Sequence, residues 1–128
     1  MSAPRQEDLT IITKAKELVN ETMRRTSSKF PKRVRFTLAN RMDDLALQIL
    51  HDIIAANEIF PKTPEDREQR RRLQTDVLTA CKMLLTFMDI ALEQQLIDQR
   101  ACEYWAKKVL DVKNMAAAWR KKDAERFK

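Results

Sequence analysis

Residues 27–41 read SSKFPKRVRFTLANR, a stretch with five positive charges, no negative charge and a single proline. The residue before a proline avoids the α-helical region, so a helix ends just before Pro31 and a new one begins after it. The stretch therefore predicts a corner between two helices. It is either a loop that binds an anion or a plain helix–helix connection with a solvated basic rim.

Composition extends this helical prediction to the whole chain. Its 128 residues suit one domain, 44% of them are apolar, and none is glycine. Tight turns in sheets depend on glycine at positive φ, whereas helices can be joined without it. We therefore expect a single all-α domain with few and simple connections.

Apolar periodicity places the first helix at 8–27 and the second at 32–58. The apolar face of the first helix is formed by Leu9, Ile12, Ala15, Val19 and Met23. The face of the second is formed by Leu38, Met42, Leu45, Ile49, Ile53 and Ala56, with Leu47, Leu50 and Ile54 beside it. A stripe this wide predicts that the second helix contacts two neighbours.

Residues 60–69, FPKTPEDREQ, predict the next helix boundary. Pro61 stops the second helix, Thr63 is a good N-cap and Pro64 suits the first helical position. The third helix is predicted at 64–97, and Asp98 caps a fourth at 99–122. Their apolar faces hold Leu73, Val77, Ala80, Leu84, Phe87 and Ala91, with Leu85, Met88 and Leu92 beside them, and then Trp105, Val109, Val112, Ala116 and Trp119.

Four long helices with short links predict an antiparallel up-down-up-down four-helix bundle, the simplest topology. The second apolar stripes on helices two and three leave two alternatives open. Either the bundle core uses all of this surface, or part of it is buried against another subunit of a homo-oligomer.

The formal net charge is +6, which favours anionic partners such as nucleic acid or an acidic protein surface, although an ordinary basic protein has the same bias. The basic residues form three clusters. The first holds Arg24, Arg25, Lys29, Lys32, Arg33, Arg35 and Arg41; the second holds Arg67, Arg70, Arg71 and Arg72; the third holds Arg120, Lys121 and Lys122. An up-down bundle puts the first cluster at one end, beside the 97–99 turn, and the other two together at the opposite end.

Each cluster has two interpretations. Its cations bind phosphates, or they serve the fold: Arg24 and Arg25 favour the C-terminal dipole of the first helix, and Arg70–Arg72 pair with nearby acids at 65, 66 and 68. Phe30 and Phe36 lie within the first cluster and could stack on bases. We expect instead that both anchor the corner to the core.

No pattern points to catalysis or to a cofactor. His51 is the only histidine, so no Ser–His–acid arrangement can be argued from spacing, and we expect it to be a structural or rim residue. The chain has no Glu-x-x-His metal motif and no glycine-rich phosphate loop. Cys81 and Cys102 lie far apart among apolar residues, which predicts buried free thiols in a reducing cytoplasm. We find no signal-peptide pattern and no stretch apolar enough to span a membrane.

The region 14–122 resembles the bacterial four-helix-bundle proteins that include Avd, the accessory variability determinant of diversity-generating retroelements. The resemblance is carried by Phe30-Pro31-Lys32, then Arg35, Phe36, Leu38 and Arg41, then the apolar run Ala46, Ile49, Ile53 and Ala56. LLTFMDIALEQQLID and NMAAAWRKK fit more loosely. The related ribosomal intervening-sequence proteins carry a glycine-containing segment where this chain has residues 52–57, which favours the Avd branch.

The resemblance implies a homopentameric barrel of four-helix bundles with a positively charged surface. Such proteins bind RNA or DNA and a retroelement reverse transcriptase, and they support mutagenic cDNA synthesis without being the catalyst. Lys32, Arg35 and Arg41 fall on the motif, whereas the second and third clusters do not. A bacterial or phage-encoded cytoplasmic protein follows from it. The alternative from the residues alone is a helical adaptor that binds an acidic protein partner.

Overall fold

The computed structural model describes residues 6–127, with side chains from Thr10 onward. Four α-helices account for most of it: α1 (Gln6–Lys29), α2 (Asn40–Glu58), α3 (Pro64–Glu93) and α4 (Gln99–Arg126). A 3₁₀ turn (Lys32–Val34) and a π-helical turn (Arg35–Ala39) connect α1 to α2. Residues 6–127 contain no strand, which confirms the all-α prediction. Leu9, predicted on the first apolar face, lies outside the described side chains.

The four helices share one hydrophobic core. In it, α1 packs against α2 and α4, while α3 packs against the same two helices. Leu18, Met42, Leu84 and Trp105 are fully buried, one from each helix. The helices therefore associate as in a four-helix bundle.

The apolar faces predicted from periodicity are mostly buried, with exceptions on the outer stripes. Met23 was predicted on the buried face of α1, and this was wrong because it lies exposed at the edge of that face. Leu47 and Ile54 are also exposed, and Leu50 is only partly buried. The bundle core therefore does not use all of the apolar surface of α2.

The start of the second helix is not the regular α-helix that was predicted from 32. In the π turn the Asn40 N–H donates to the Arg35 carbonyl, five residues back instead of four. In a continuous α-helix Arg35 would lie two turns before Met42 and would face the core. The extra residue in the wide turn shifts the register by one. Val34 therefore packs against the core, and Arg35 is exposed.

The start of α3 confirms the predicted cap. The Thr63 hydroxyl accepts from the Asp66 N–H at 3.1 Å, and the Asp66 carboxylate accepts from the Thr63 N–H at 3.3 Å. Pro64 occupies the first turn, where the N–H that proline lacks would have no partner within the helix. This reciprocal arrangement satisfies donors that the helix itself leaves unpaired.

The end of α3 was predicted too late, at 97 instead of Glu93. The Leu96 N–H donates to the Ala91 carbonyl at 2.8 Å and the Gln95 N–H to the Leu92 carbonyl at 3.0 Å. These two bonds make a Schellman motif, which requires one residue in the left-handed region, and Gln95 takes it at φ 59°. A glycine there would have signalled the stop. Helix α4 also runs past its predicted end at 122.

We expect Gln95→Gly to stabilise the fold. Left-handed backbone is unfavourable for any residue with a Cβ, so glycine should raise the free energy of unfolding by roughly 0.5–1 kcal/mol, net of its larger entropy loss. Urea unfolding would measure the gain. Gln94→Gly is the matched control, since Gln94 has negative φ, and it should be neutral or destabilising. A less stable Gln95→Gly protein would contradict this account of the α3 terminus.

Candidate functional site

Five cations of the first cluster lie exposed on the connection between α1 and α2: Lys29, Lys32, Arg33, Arg35 and Arg41. None of them forms an ion pair with a described side chain. Residues 29–41 are called the basic corner below. Its charge is free to meet a ligand because nothing in the described part of the chain neutralises it.

Arg24 and Arg25, the other members of the first cluster, are bound to an acid. The Glu21 side chain is only 3% exposed, and it accepts from Arg24 Nη1 at 3.1 Å and from Arg25 Nε at 2.9 Å. A buried carboxylate needs such partners because burial removes it from water. The two arginines therefore compensate Glu21, while Arg24 keeps most of its side chain in solvent.

The two phenylalanines of the corner differ. Phe30 packs edge-on against Trp105 with ring centroids 6.3 Å apart, which confirms that it anchors the corner. The same prediction for Phe36 was wrong, since its side chain is 78% exposed. The wide π turn buries Leu38 and Ala39 and leaves Phe36 in solvent. An aromatic ring thus stands among the free cations.

Hydrogen bonds fix the corner to the bundle. The Thr26 hydroxyl at the end of α1 donates to Asp43 Oδ1 in the first turn of α2, at 2.7 Å. The Val34 N–H donates to the Pro31 carbonyl at 3.1 Å and closes the 3₁₀ turn.

Arg41 is exposed, and although it lines the same cleft as Asp44, it forms no ion pair with that acid or with any other described residue.

The second and third clusters lie next to each other where α3 meets α4. Arg70, a member of the second cluster, is largely buried there. Arg70 pairs with Asp123 through Nε–Oδ2 at 2.6 Å and Nη2–Oδ1 at 3.1 Å, and its guanidinium lies 5.1 Å from the Trp119 ring centroid. Gln74 Nε2 also donates to Asp123, at 2.8 Å. Because the Arg70 and Asp123 side chains are 11% and 13% exposed, this pair holds α3 to α4.

Several of the other cations in these two clusters also have partners within the protein. Arg72 pairs with Glu68 at 3.4 Å, Arg67 donates to the Lys62 carbonyl, and Arg120 donates to the Thr75 hydroxyl at 3.1 Å. Arg71, Lys121 and Lys122 are exposed. The expected pairing with nearby acids is thus met by Glu68, whereas Asp66 serves the cap of α3.

Sequence reasoning missed Tyr104. Its side chain is 54% exposed on α4. Lys108 Nζ lies 5.0 Å and Arg25 Cζ 5.8 Å from its ring centroid. The available signal was its register, because a residue directly before the buried Trp105 falls off the apolar face of the helix.

Three further side chains with reactive groups are Cys81, Cys102 and His51. Cys81 and Cys102 are buried free thiols, as predicted, and burial raises the pKa of Cys81 to about 12 and that of Cys102 above its usual value. His51 is exposed, with Nδ1 3.0 Å from Asp52 Oδ1. Within the described residues, His, Cys, Asp and Glu side chains do not gather into a metal-binding group, and no helix has the length and apolar character needed to cross a bilayer.

No protein family, curated protein or solved structure matches this chain. The Avd-like resemblance in 14–122 therefore stays a prediction.

We expect the Thr26–Asp43 contact to be sensitive to pH. Partial burial raises the pKa of Asp43 above its ordinary value of 3.8, against the lowering effect of the Thr26 hydroxyl. The folded protein then holds this proton more tightly than the unfolded chain does. The contribution of Asp43 to stability therefore falls as the pH rises through the pKa of the unfolded chain and then through the raised pKa of the folded protein. Asp43→Asn carries no charge and should be at least as stable as the parent at neutral pH.

Urea unfolding of both proteins across a pH series would check this. The difference in unfolding free energy should shrink as the pH falls toward 3.8, because Asp43 itself then becomes neutral. Asp76→Asn is the control, since Asp76 is an exposed carboxylate on α3. A gap that widens on acidification would contradict the assignment.

Proposed function

We propose that this protein is a non-enzymatic nucleic-acid-binding protein that uses the basic corner as its main contact surface. The observation that carries this proposal is the set of five exposed cations without ion-pair partners around the exposed Phe36. Lysine and arginine that neutralise phosphates release condensed counterions, which drives binding at low salt. An aromatic ring beside them adds a face on which a base stacks.

The corner suits this role because its backbone is held in place before any ligand arrives. Phe30 is seated against Trp105, Thr26 is bonded to Asp43, and Val34 packs against the core. A surface that is already ordered loses less conformational entropy on binding than a flexible loop. Contacts to phosphate oxygens read little sequence, so we expect affinity with weak sequence preference.

The cellular role that we propose follows from the Avd-like resemblance. The protein would be an accessory of a diversity-generating retroelement in a bacterial or phage-infected cytoplasm. It would bind the reverse transcriptase and its RNA or cDNA while mutagenic cDNA is made. Lys32, Arg35 and Arg41 fall both on the resembling motif and in the basic corner, and this coincidence supports the proposal.

The assembly that we propose is an antiparallel up-down-up-down bundle that forms a homopentamer. The Thr22–Trp105 hydrogen bond, together with the shared cleft of Ile11 and Trp119, supports opposite directions for α1 and α4. The exposed Leu47 and Ile54 on α2 supply apolar surface for a subunit contact.

A helical adaptor for another protein is the second candidate, and one cleft favours it. A cleft of about 380 Å³ between α2 and α3 is lined by Leu45, Met83 and Phe87, with Gln48 at its side. An apolar groove with polar edges suits a protein side chain better than a phosphate. An intervening-sequence-type bundle without a retroelement partner remains an alternative within the same fold.

We expect the double variant Arg35→Ala/Arg41→Ala to bind RNA and DNA more weakly than the parent. Each phosphate contact that is lost should make the slope of log affinity against log salt shallower by about 1. Fluorescence anisotropy with labelled oligonucleotides over a salt series would measure both the affinity and the slope.

The matched control is Lys16→Ala/Lys82→Ala, which removes the same net charge from exposed positions of α1 and α3 outside the basic corner. It should weaken binding less, through the general field alone. A parent protein that does not bind at low salt, or whose binding does not respond to salt, would refute the proposed function.

The reverse transcriptase of a retroelement that encodes this protein should co-purify with it. Native mass spectrometry of the protein should give the mass of a pentamer. We expect the complex to survive nuclease treatment if the contact is protein–protein. The Arg35→Ala/Arg41→Ala variant should then still form the pentamer, because these exposed arginines form no ion pair with a described side chain. A monomeric parent protein would contradict the assembly, and no nuclease-resistant complex would contradict the partnership.

A further inference from the structure

Tyr104 is an exposed aromatic ring with two cations beside it, one of which comes from a distant part of the sequence. Arg25 reaches it from α1 and Lys108 from the next turn of α4. Glu21 anchors Arg25 through a bond of 2.9 Å, so this cation is fixed in position. Tyr104 itself takes no part in the hydrophobic core. The fold thus leaves about half of a large planar side chain in solvent, with two cations beside its ring.

The ring borders a concave surface. A cleft of about 340 Å³ is lined by Arg25, Asp98, Arg100, Ala101 and Tyr104. A second cleft of about 570 Å³ shares Arg25, Asp98 and Ala101 with it and extends to Lys29. Lys29 is the first residue of the basic corner. The two clefts therefore form one continuous path from Tyr104 to the corner.

The charge along this path is mostly positive. Lys29 and Arg100 line it and Lys108 stands over the ring, while Arg25, which also lines it, is paired with Glu21. Asp98 is the acid that lines both clefts, and its Oδ1 accepts from the Ala101 N–H at 2.7 Å. This carboxylate serves the N-terminus of α4, where a negative charge is favourable. Glu103 is nearby in sequence and accepts from Gln99.

We propose that Tyr104 is a stacking platform for one unpaired base of single-stranded RNA or DNA, whose backbone continues along this path to the basic corner. The inference rests on the proposed nucleic-acid binding and specifies the form of the ligand. A base inside a duplex has both faces covered by its neighbours. An unpaired base, whatever the sequence around it, can stack on an aromatic ring. Tyr104 therefore favours single strands over duplexes.

The variant Tyr104→Leu removes the ring and keeps an apolar side chain at this exposed position. We expect its affinity for a labelled oligo-dT or oligo-U strand to fall about tenfold, since base–aromatic stacking supplies a gain of this order. Tyr104→Phe keeps the ring and should bind like the parent. Affinity for a duplex oligonucleotide should be the same in all three proteins.

The salt dependence separates stacking from charge. Tyr104→Leu should leave the salt slope unchanged, because a neutral ring does not neutralise a phosphate. Lys108→Met should make the slope shallower by about 1, because it removes one cation. Thermal unfolding of each variant would establish that the fold is intact.

The outcomes are distinct. Parent-like binding of single strands by Tyr104→Leu, with reduced binding by Arg35→Ala/Arg41→Ala, would overturn this inference and leave the proposed function in place. An equal loss in Tyr104→Phe and Tyr104→Leu would overturn it too, since the hydroxyl would then be the contact. A parent protein that binds neither form of nucleic acid would refute the proposed function itself.

Discussion

The indole of Trp105 is the contact on which the candidate site depends. It is fully buried, its N–H donates to the Thr22 hydroxyl at 3.0 Å, and its ring receives the edge of Phe30. One side chain thereby joins α4 to α1 and holds Phe30, the first residue of the connection. A buried indole needs a partner for its N–H, and the Thr22 hydroxyl satisfies it within the core. The direction in which the chain leaves α1 follows from this packing.

Most of the fold was accessible from the sequence because the relevant signals are local. Prolines at 31, 61 and 64, the Thr63 cap and apolar spacing of three and four mark where helices start and which side they bury. The misses occurred where a local signal was absent or misleading. Gln95 ends α3 in the left-handed conformation that glycine most often takes. No residue of 35–39 indicates a π turn by its type alone. Both are decided by packing of the surrounding helices, and single-sequence patterns do not report that.

The candidate site was predictable in outline, through its charge, but not in detail. Counting cations found the basic corner, yet it gave Arg70 the same weight as Arg35. Only the tertiary structure shows that Arg70 is paired with Asp123, which lies on a helix far along the chain. It also shows that the π turn leaves Arg35 and Phe36 exposed to solvent. Tyr104 was missed for the same reason, since its cation from α1 is remote in sequence.

The basic corner and the Arg70–Asp123 pair therefore use the same residue type for opposite purposes. Where Arg70 meets Asp123, the charge is matched inside the protein, and a largely buried pair of this kind fixes geometry but has little left for a ligand. At the basic corner the cations stay in water, each at no desolvation cost until a partner arrives. Exposed cations contribute little to folding, and five of them without acids raise the electrostatic repulsion in the folded chain. Their electrostatic benefit appears only when an anion is bound, and phosphate groups spaced along a strand provide that anion repeatedly. In the proposed complex, the exposed rings of Phe36 in the corner and of Tyr104 beside the clefts that lead to it would add stacking, which a purely electrostatic contact lacks.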